Sequence, residues 1–308
     1  MIQVDNLTKY YGNQTAIQNV SFYVDKGEIL GFLGPNGAGK TTTMRILTAY
    51  MPPSEGVATV GGYDVFRDSL EVRKRIGYLP ESVPLYTDMT ISAYLDFVAS
   101  LRKVDHRARR IEDALEKVNL RGQAHTLIGK LSKGMRQRVG IAQAIVHDPE
   151  VLILDEPTIG LDPKQIIEVR ELIKKLGGEH TIILSTHILS EVEQICNRVL
   201  IISKGQIVAE DTPARLVSRL EGSEKVRLEA LQAPIDAVEI LQSLPEVEKV
   251  LLIGPSTFDI ECTMGIDCRP VIAQVVVEKG WGLLELRAID VSLEDIFLEL
   301  TADQEGAN

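Results

Sequence analysis

The stretch Gly34-Pro35-Asn36-Gly37-Ala38-Gly39-Lys40-Thr41, with Thr42 behind it, restricts this 308-residue chain more than any other part of it. An apolar run at 29–33 leads in as a buried strand does, and 42–49 leads out with a helical pattern that Pro52 and Pro53 stop. Strand, glycine loop, helix is the order in which GxxxxGK[ST] cradles a phosphate. The glycines let consecutive backbone N–H groups turn inward without Cβ clashes, and the helix N-terminus adds partial positive charge. Lys40 then falls on the β- and γ-phosphates and the Thr41 hydroxyl on Mg²⁺. A glycine turn that merely carries a surface lysine needs neither flank. The chain is therefore expected to bind a nucleoside triphosphate through Gly34, Asn36, Gly37, Gly39, Lys40, Thr41 and Thr42.

A second constellation gives the triphosphate something to react with. Val151-Leu152-Ile153-Leu154-Asp155-Glu156 is four aliphatics ending in two acids, a central strand that delivers carboxylates to the sheet edge where α/β ligands bind. Asp155 is expected to hold Mg²⁺, and Glu156, one residue further on, to polarise the attacking water. Acids at a strand end are ordinary alone. Downstream of a phosphate loop they read as a hydrolytic site.

Composition limits the remainder. At 44% hydrophobic residues the chain has ample core for one large domain and a small one. No apolar run approaches the length needed to cross a bilayer, and residues 1–5 have neither the basic nor the apolar region of an export signal. Cys196, Cys262 and Cys268 are too few and scattered for a disulfide framework or a zinc site, so idle or buried thiols and a reducing cytoplasm are expected. The net charge of −11 is concentrated, because residues 222–308 carry six Lys/Arg against seventeen Asp/Glu while 1–221 carry 27 of each. A tail so acidic repels phosphate backbones and weighs against nucleic acid as a partner.

Along the chain, Ile2 and Val4, then Val20, Phe22 and Val24, alternate as strands with one buried face. The turn between them holds Tyr10 and Tyr11, either of which suits base stacking or plain strand-end packing. Residues 76–79 form a short strand broken by Pro80, with Glu81 at its end. From Thr90, a plausible N-cap, Ile91, Tyr94, Leu95, Val98 and Leu101 share a helical face, and Ile111, Leu115 and Val118 mark a second helix. The basic run 106–110 between them fits a solvated helix start, or contact with lipid headgroups or a partner. After a hairpin at 199–209 and a helix at 213–220, a break at 221–223 precedes strand 225–230, helix 234–243, strands 247–253 and 257–262, helix 268–279, strand 283–288 and helix 292–301. The first six of these spell βαββαβ, a small α+β ferredoxin-like domain with nothing catalytic in it.

Tyr11, the 34–42 loop, Leu131-Ser132-Lys133-Gly134-Met135, the 151–156 strand, Gly160-Leu161-Asp162 and Ser185-Thr186-His187 occur in a telling order and spacing. They resemble the ATP-binding subunits of ATP-binding-cassette (ABC) transporters over about residues 1–220. The resemblance implies an α/β P-loop NTPase core with an antiparallel β subdomain and a helical subdomain at about 88–147, in a nucleotide-binding domain of 1–221. Residues 222–308 then form an acidic accessory domain for assembly or regulation. It also implies ATP and Mg²⁺ as ligands and a head-to-tail homodimer of cassettes. Each ATP is held by the loop of one subunit and by Ser132, Gly134 and adjoining amides of the other. His187 matches the switch histidine that reaches the γ-phosphate, and Asp162 the loop linking the two sites. Helix capping by Asp162 is compatible with that role. Tyr11 joins the nucleotide-binding set.

The sequence departs from that pattern twice. Glu81 stands where the family usually has glutamine, keeping an oxygen for Mg²⁺ or water but adding negative charge. Lys133 and Met135 replace Gly and Gln of the usual signature, and a cation at 133 is suited to face a neighbour's triphosphate. Glu81 with this signature is similar to an exporter-type branch that includes gliding-motility ATPase subunits. The expected function is therefore ATP hydrolysis by the ATP-binding subunit of an ABC exporter. Such a subunit powers multispanning permease partners from the cytoplasmic face of the inner membrane. The alternative is a soluble ABC ATPase acting on a non-transport assembly. Ribosome-acting members usually hold two cassettes, and the DNA-repair type inserts a long coiled coil where only 95 positions separate Gly39 from Gly134 here.

Overall fold

The computed structural model describes residues 1–220, 224–263 and 266–289. The helix expected at 292–301 and the break at 221–223 lie outside them. The chain divides into two compact units, Met1–Pro213 and Ala214–Asn308.

In the first unit, alternation of buried and exposed residues makes β1 (Ile2–Tyr11) and β2 (Gln14–Val24) an antiparallel pair. β4 (Glu55–Val60) and β5 (Tyr63–Asp64) complete a sheet of order β2-β1-β4-β5. A second sheet holds β3 (Ile29–Leu33), β6 (Ile76–Leu79), β7 (Val151–Asp155), β8 (Thr181–Thr186), β9 (Arg198–Ser203) and β10 (Gln206–Asp211) in the order β10-β9-β3-β8-β7-β6. Every pairing in it is parallel except the β9–β10 hairpin. β3, β7 and β8 are buried along their whole length, as continuous apolar strands covered on both faces must be.

Seven α-helices belong to the same unit: α1 (Lys40–Leu47), α2 (Ser69–Arg75), α3 (Ile91–Leu101), α4 (Arg107–Lys117), α5 (Lys133–Ile145), α6 (Pro163–Gly177) and α7 (Leu189–Ile195); α8 (Pro213–Leu220) follows at the division between units. α1 starts two residues before the sequence pattern suggests, because Gly39 at φ 111° already turns the chain into it. It also stops before the prolines. Ala49 takes the left-handed conformation at φ 55°, and the bonds Ala49 N→Ile46 O (2.9 Å) and Tyr50 N→Arg45 O (2.9 Å) form a Schellman ending. α3, α4 and α5 pack on one another, and Thr90 caps α3 by accepting from Ala93 N. One core joins the two sheets across α1. In it Phe22 and Phe32 stand 5.7 Å apart, and burying each stabilises the fold by ~2–3 kcal/mol.

The second unit is a βαββαβ run: β11 (Glu224–Ala230), α9 (Ala237–Gln242), β12 (Val247–Gly254), β13 (Thr257–Cys262), α10 (Arg269–Glu278) and β14 (Leu283–Ile289). Its order β12-β13-β11-β14, antiparallel throughout, inserts β13 between the parallel β11 and β12. Phe258, Ile260, Leu228, Leu241, Ile272 and Trp281 build its own core. The expectation of three idle thiols is corrected here. Cys262 and Cys268 form a disulfide with their Cα atoms 6.1 Å apart, and Cys196 alone is a free, buried thiol. A separation of six reads as scatter in the sequence, but the chain reverses between β13 and α10 and brings the two side by side.

Candidate functional site

Strands β3, β8 and β7 are neighbours and run parallel, so their C-terminal ends deliver three segments to one edge. The phosphate loop follows β3, His187 follows β8, and Asp155 ends β7 with Glu156 next to it. The loop is fixed from behind. A Cβ at Gly39 would lie 2.6 Å from Ile17 Cγ2 and 2.9 Å from Ala16 O, and Gly205 N donates to Ala38 O at 2.9 Å.

Lys40 is 6% exposed, and its Nζ donates to Gly34 O at 2.7 Å and Pro35 O at 3.3 Å. The same ammonium is 3.5 Å from Glu156 Oε1, while Glu156 Oε2 is 2.8 Å from His187 Nδ1. Lys40, Glu156 and His187 thus form one continuous contact. Glu156 holds φ 49°, the left-handed region that costs a non-glycine residue ~1–3 kcal/mol, and its N–H is tied to Ser185 O at 2.9 Å. His187 projects beyond, with its side chain 43% exposed.

Asp155 is fully buried, and neither carboxylate oxygen has a hydrogen-bond partner. Burial pushes its carboxyl above the usual range. The Ser185 and Thr41 hydroxyls are near enough to oppose that rise without bonding in ordinary geometry, and the negative charges of Glu156 and Glu81 add to it. Unpaired carboxylate oxygens beside a hydroxyl and a second acid are hard donors that fit Mg²⁺. A cleft of about 430 Å³ takes in Asn36, Gly37, Lys40, Thr41, Thr42, Glu81, Glu156 and His187.

The remaining expected residues lie outside the lining of that cleft. Tyr11 ends β1 with its ring 45% exposed and its hydroxyl 3.1 Å from Met51 Sδ. Ser132 caps α5, accepting from Met135 N at 3.2 Å. Gly134 leaves no room for a Cβ, which would lie 2.6 Å from Gln165 Cδ. Asp162 caps α6 through Gln165 N at 2.9 Å. The start of α5 therefore packs on the segment that follows Glu156. Lys133 Nζ fills the place a Cβ at Gly160 would take, so in this chain it rests on its own loop. Sequence reasoning passed over Glu191, an acid with no exposed surface behind the cleft. The available signal was a lone acid between Leu189 and Val192, both buried in α7.

Comparison with known proteins extends this geometry. Residues 17–159 match the ABC transporter family. The chain is 33% identical to the linearmycin resistance ATP-binding protein LnrL of Bacillus subtilis (strain 168) over 98% of both chains. It is 36% identical to the bacitracin transport ATP-binding protein BcrA of Bacillus licheniformis over 97% of both. Among solved structures, an ATP-binding cassette in a dimeric post-hydrolysis state bound to ADP and Pi superposes with a TM-score of 0.62 at 25% identity, over 69% of this chain and 98% of that one.

Proposed function

Because this chain belongs to the ABC transporter family of ATP-binding subunits, we propose that it is the ATP-hydrolysing subunit of an exporter that works as a closing pair of cassettes. The chain is an ATPase of that family. The observation that carries the finer reading is the Lys40–Glu156–His187 contact beside the unpartnered carboxylate of Asp155.

In the proposed mechanism, loop amides and Lys40 hold the β- and γ-phosphates, with Asn36, Gly37 and Thr42 along the same edge. Thr41 and Asp155, with Glu81 as a further oxygen, would hold Mg²⁺, which would supply charge neutralisation at the phosphates. Glu156 orients the attacking water and accepts its proton. His187, engaged with Glu156 through Nδ1, presents its other ring nitrogen to the γ-phosphoryl group, where developing charge is stabilised. Ser132 and Gly134 of a second copy, with its Asp162 loop, complete the site when the pair closes and excludes water. None of the three lines the cleft within one chain, which accords with that sharing.

The stretch from Glu81 to Leu101 is the proposed link to a membrane permease. Tyr86, Phe97 and Leu101 are exposed there around a groove of about 420 Å³ next to Tyr94. Among the described residues no helix is long and apolar enough to cross a membrane, so the reading assigns the spanning role to a partner and this chain to the cytoplasmic face beside it. Relatives named for resistance and transport along nearly the whole chain support export. Glu156→Gln should lower turnover by ~10²–10⁴-fold while ATP binding persists. Near-normal turnover in that variant would remove Glu156 from its role.

A further inference from the structure

Behind the cleft, Glu191 of α7 lies with no exposed surface and takes no part in the mechanism above. Its Oε1 accepts from the Thr158 hydroxyl and its Oε2 from the Thr186 hydroxyl at 3.0 Å. Thr158 is 2% exposed and follows Glu156 by two residues, and Thr186 immediately precedes His187. The Thr186 oxygen also accepts from Ile188 N at 3.0 Å, which folds the turn carrying His187 around it. Arg170 Nη2 stands 3.8 Å from Glu191 Oε1, and its guanidinium is tethered to Gln194 and Ser190 at 3.2 Å each.

We infer that Glu191 is a positioning residue, a latch that fastens the Glu156 loop to the His187 loop and so sets the contact between those two side chains. The inference rests on the reading of Glu156 and His187 given above. Two features demand such a latch. Glu156 is held at φ 49°, a conformation that persists only when its surroundings over-determine it, and the two loops leave different strands. One carboxylate bonded to both loops supplies the constraint from outside the lining of the cleft. A buried acid is costly unless its oxygens are satisfied, and here both are used on these loops. An apolar residue would serve core packing in α7 at lower cost, which argues for a role beyond packing.

Steady-state ATPase kinetics of the full chain, with nucleotide binding measured in parallel, test this. Glu191→Gln and the near-isosteric Thr158→Val should each lower kcat roughly 10- to 100-fold, the penalty of a catalytic group displaced by about 1 Å, with KM for ATP within about twofold. Thr158→Ser, which keeps the hydroxyl, should recover most of the loss. Nucleotide-binding stoichiometry near one per chain shows that each variant is folded. If folded Glu191→Gln and Thr158→Val retain wild-type kcat while Glu156→Gln is inactive, the latch is refuted and the site reading stands. A matched rise in KM and fall in kcat would refute it too. If Glu156→Gln itself keeps full turnover, the site reading fails and takes the latch with it.

Discussion

Asp155→Asn isolates what a buried, unpartnered carboxylate does to this fold. Both oxygens of Asp155 are fully buried and unbonded, and burial together with Glu156 and Glu81 disfavours the charged form. An unsatisfied buried polar group costs ~1–3 kcal/mol, and more when charged. The amide keeps the shape, removes the charge and offers a donor to the Ser185 and Thr41 hydroxyls. In EDTA the variant should therefore be more stable than wild type by ~1–3 kcal/mol, a rise in Tm of roughly 2–12 °C for a unit of this size. Adding nucleotide should stabilise both proteins. Adding Mg²⁺ with the nucleotide should give a further increment only in wild type, about 3 kcal/mol at a hundredfold excess over Kd. Thermal unfolding followed by circular dichroism reads all three quantities. An Asn variant less stable than wild type in EDTA, or one with an undiminished Mg²⁺ increment, would refute the reasoning.

Other perturbations probe other parts. His147, whose Nε2 is 3.0 Å from Ile76 O, has its pKa lowered to about 4 by burial and by the nearby charge of Arg102. It stays neutral in the fold while the unfolded chain takes up a proton near pH 6.5, so its contribution to stability is lost as pH falls from about 6.5 toward 4. Urea unfolding should show wild type losing about 1.5 kcal/mol more than His147→Gln between pH 6.5 and pH 5. Gly77→Ala drives a Cβ into Ala144 O where β6 meets α5, and should cost ~3 kcal/mol, seen as a fall in Tm of roughly 6–12 °C. Ser132→Arg and Lys40→Ala subunits should each be inactive alone, and mixing them should restore turnover through one intact composite site. No recovery in co-assembled mixtures would count against shared sites.

What was legible in the sequence follows the range of the interactions involved. Gly34 to Thr41 and Val151 to Glu156 carry their placement in local pattern, because a buried parallel strand needs continuous aliphatics and a phosphate loop needs glycines. Thr90 and Asp162 were readable as caps because capping is settled within one turn. The end of α1 was misread because Ala49 adopts a conformation usually left to glycine, which no propensity announces. The Cys262–Cys268 bond, the rest of Lys133 against Gly160 and the convergence of Thr158 and Thr186 on Glu191 all depend on how the chain reverses. Leu101 shows the same limit. It fits the apolar face of α3 by spacing, yet as the last residue of that helix it is 68% exposed.

The geometry of Lys40 links binding to chemistry. Its ammonium has three donors, and two are committed to Gly34 O and Pro35 O, which hold it over the loop. The third faces Glu156 Oε1 at 3.5 Å, while His187 occupies the other oxygen. With His187 on Oε2, the Lys40 ammonium stands against the oxygen left to orient a water. A γ-phosphate carries more negative charge than Glu156 and competes for the same ammonium within an enclosed cleft, where such attraction is strong. Substrate binding would thus draw Lys40 toward the phosphates and release Oε1 for the attacking water. His187, still on Oε2, would keep the carboxylate aimed. In the proposed mechanism the base would then become available only when there is something to hydrolyse, and the loops that Glu191 joins would decide whether it is in the right place.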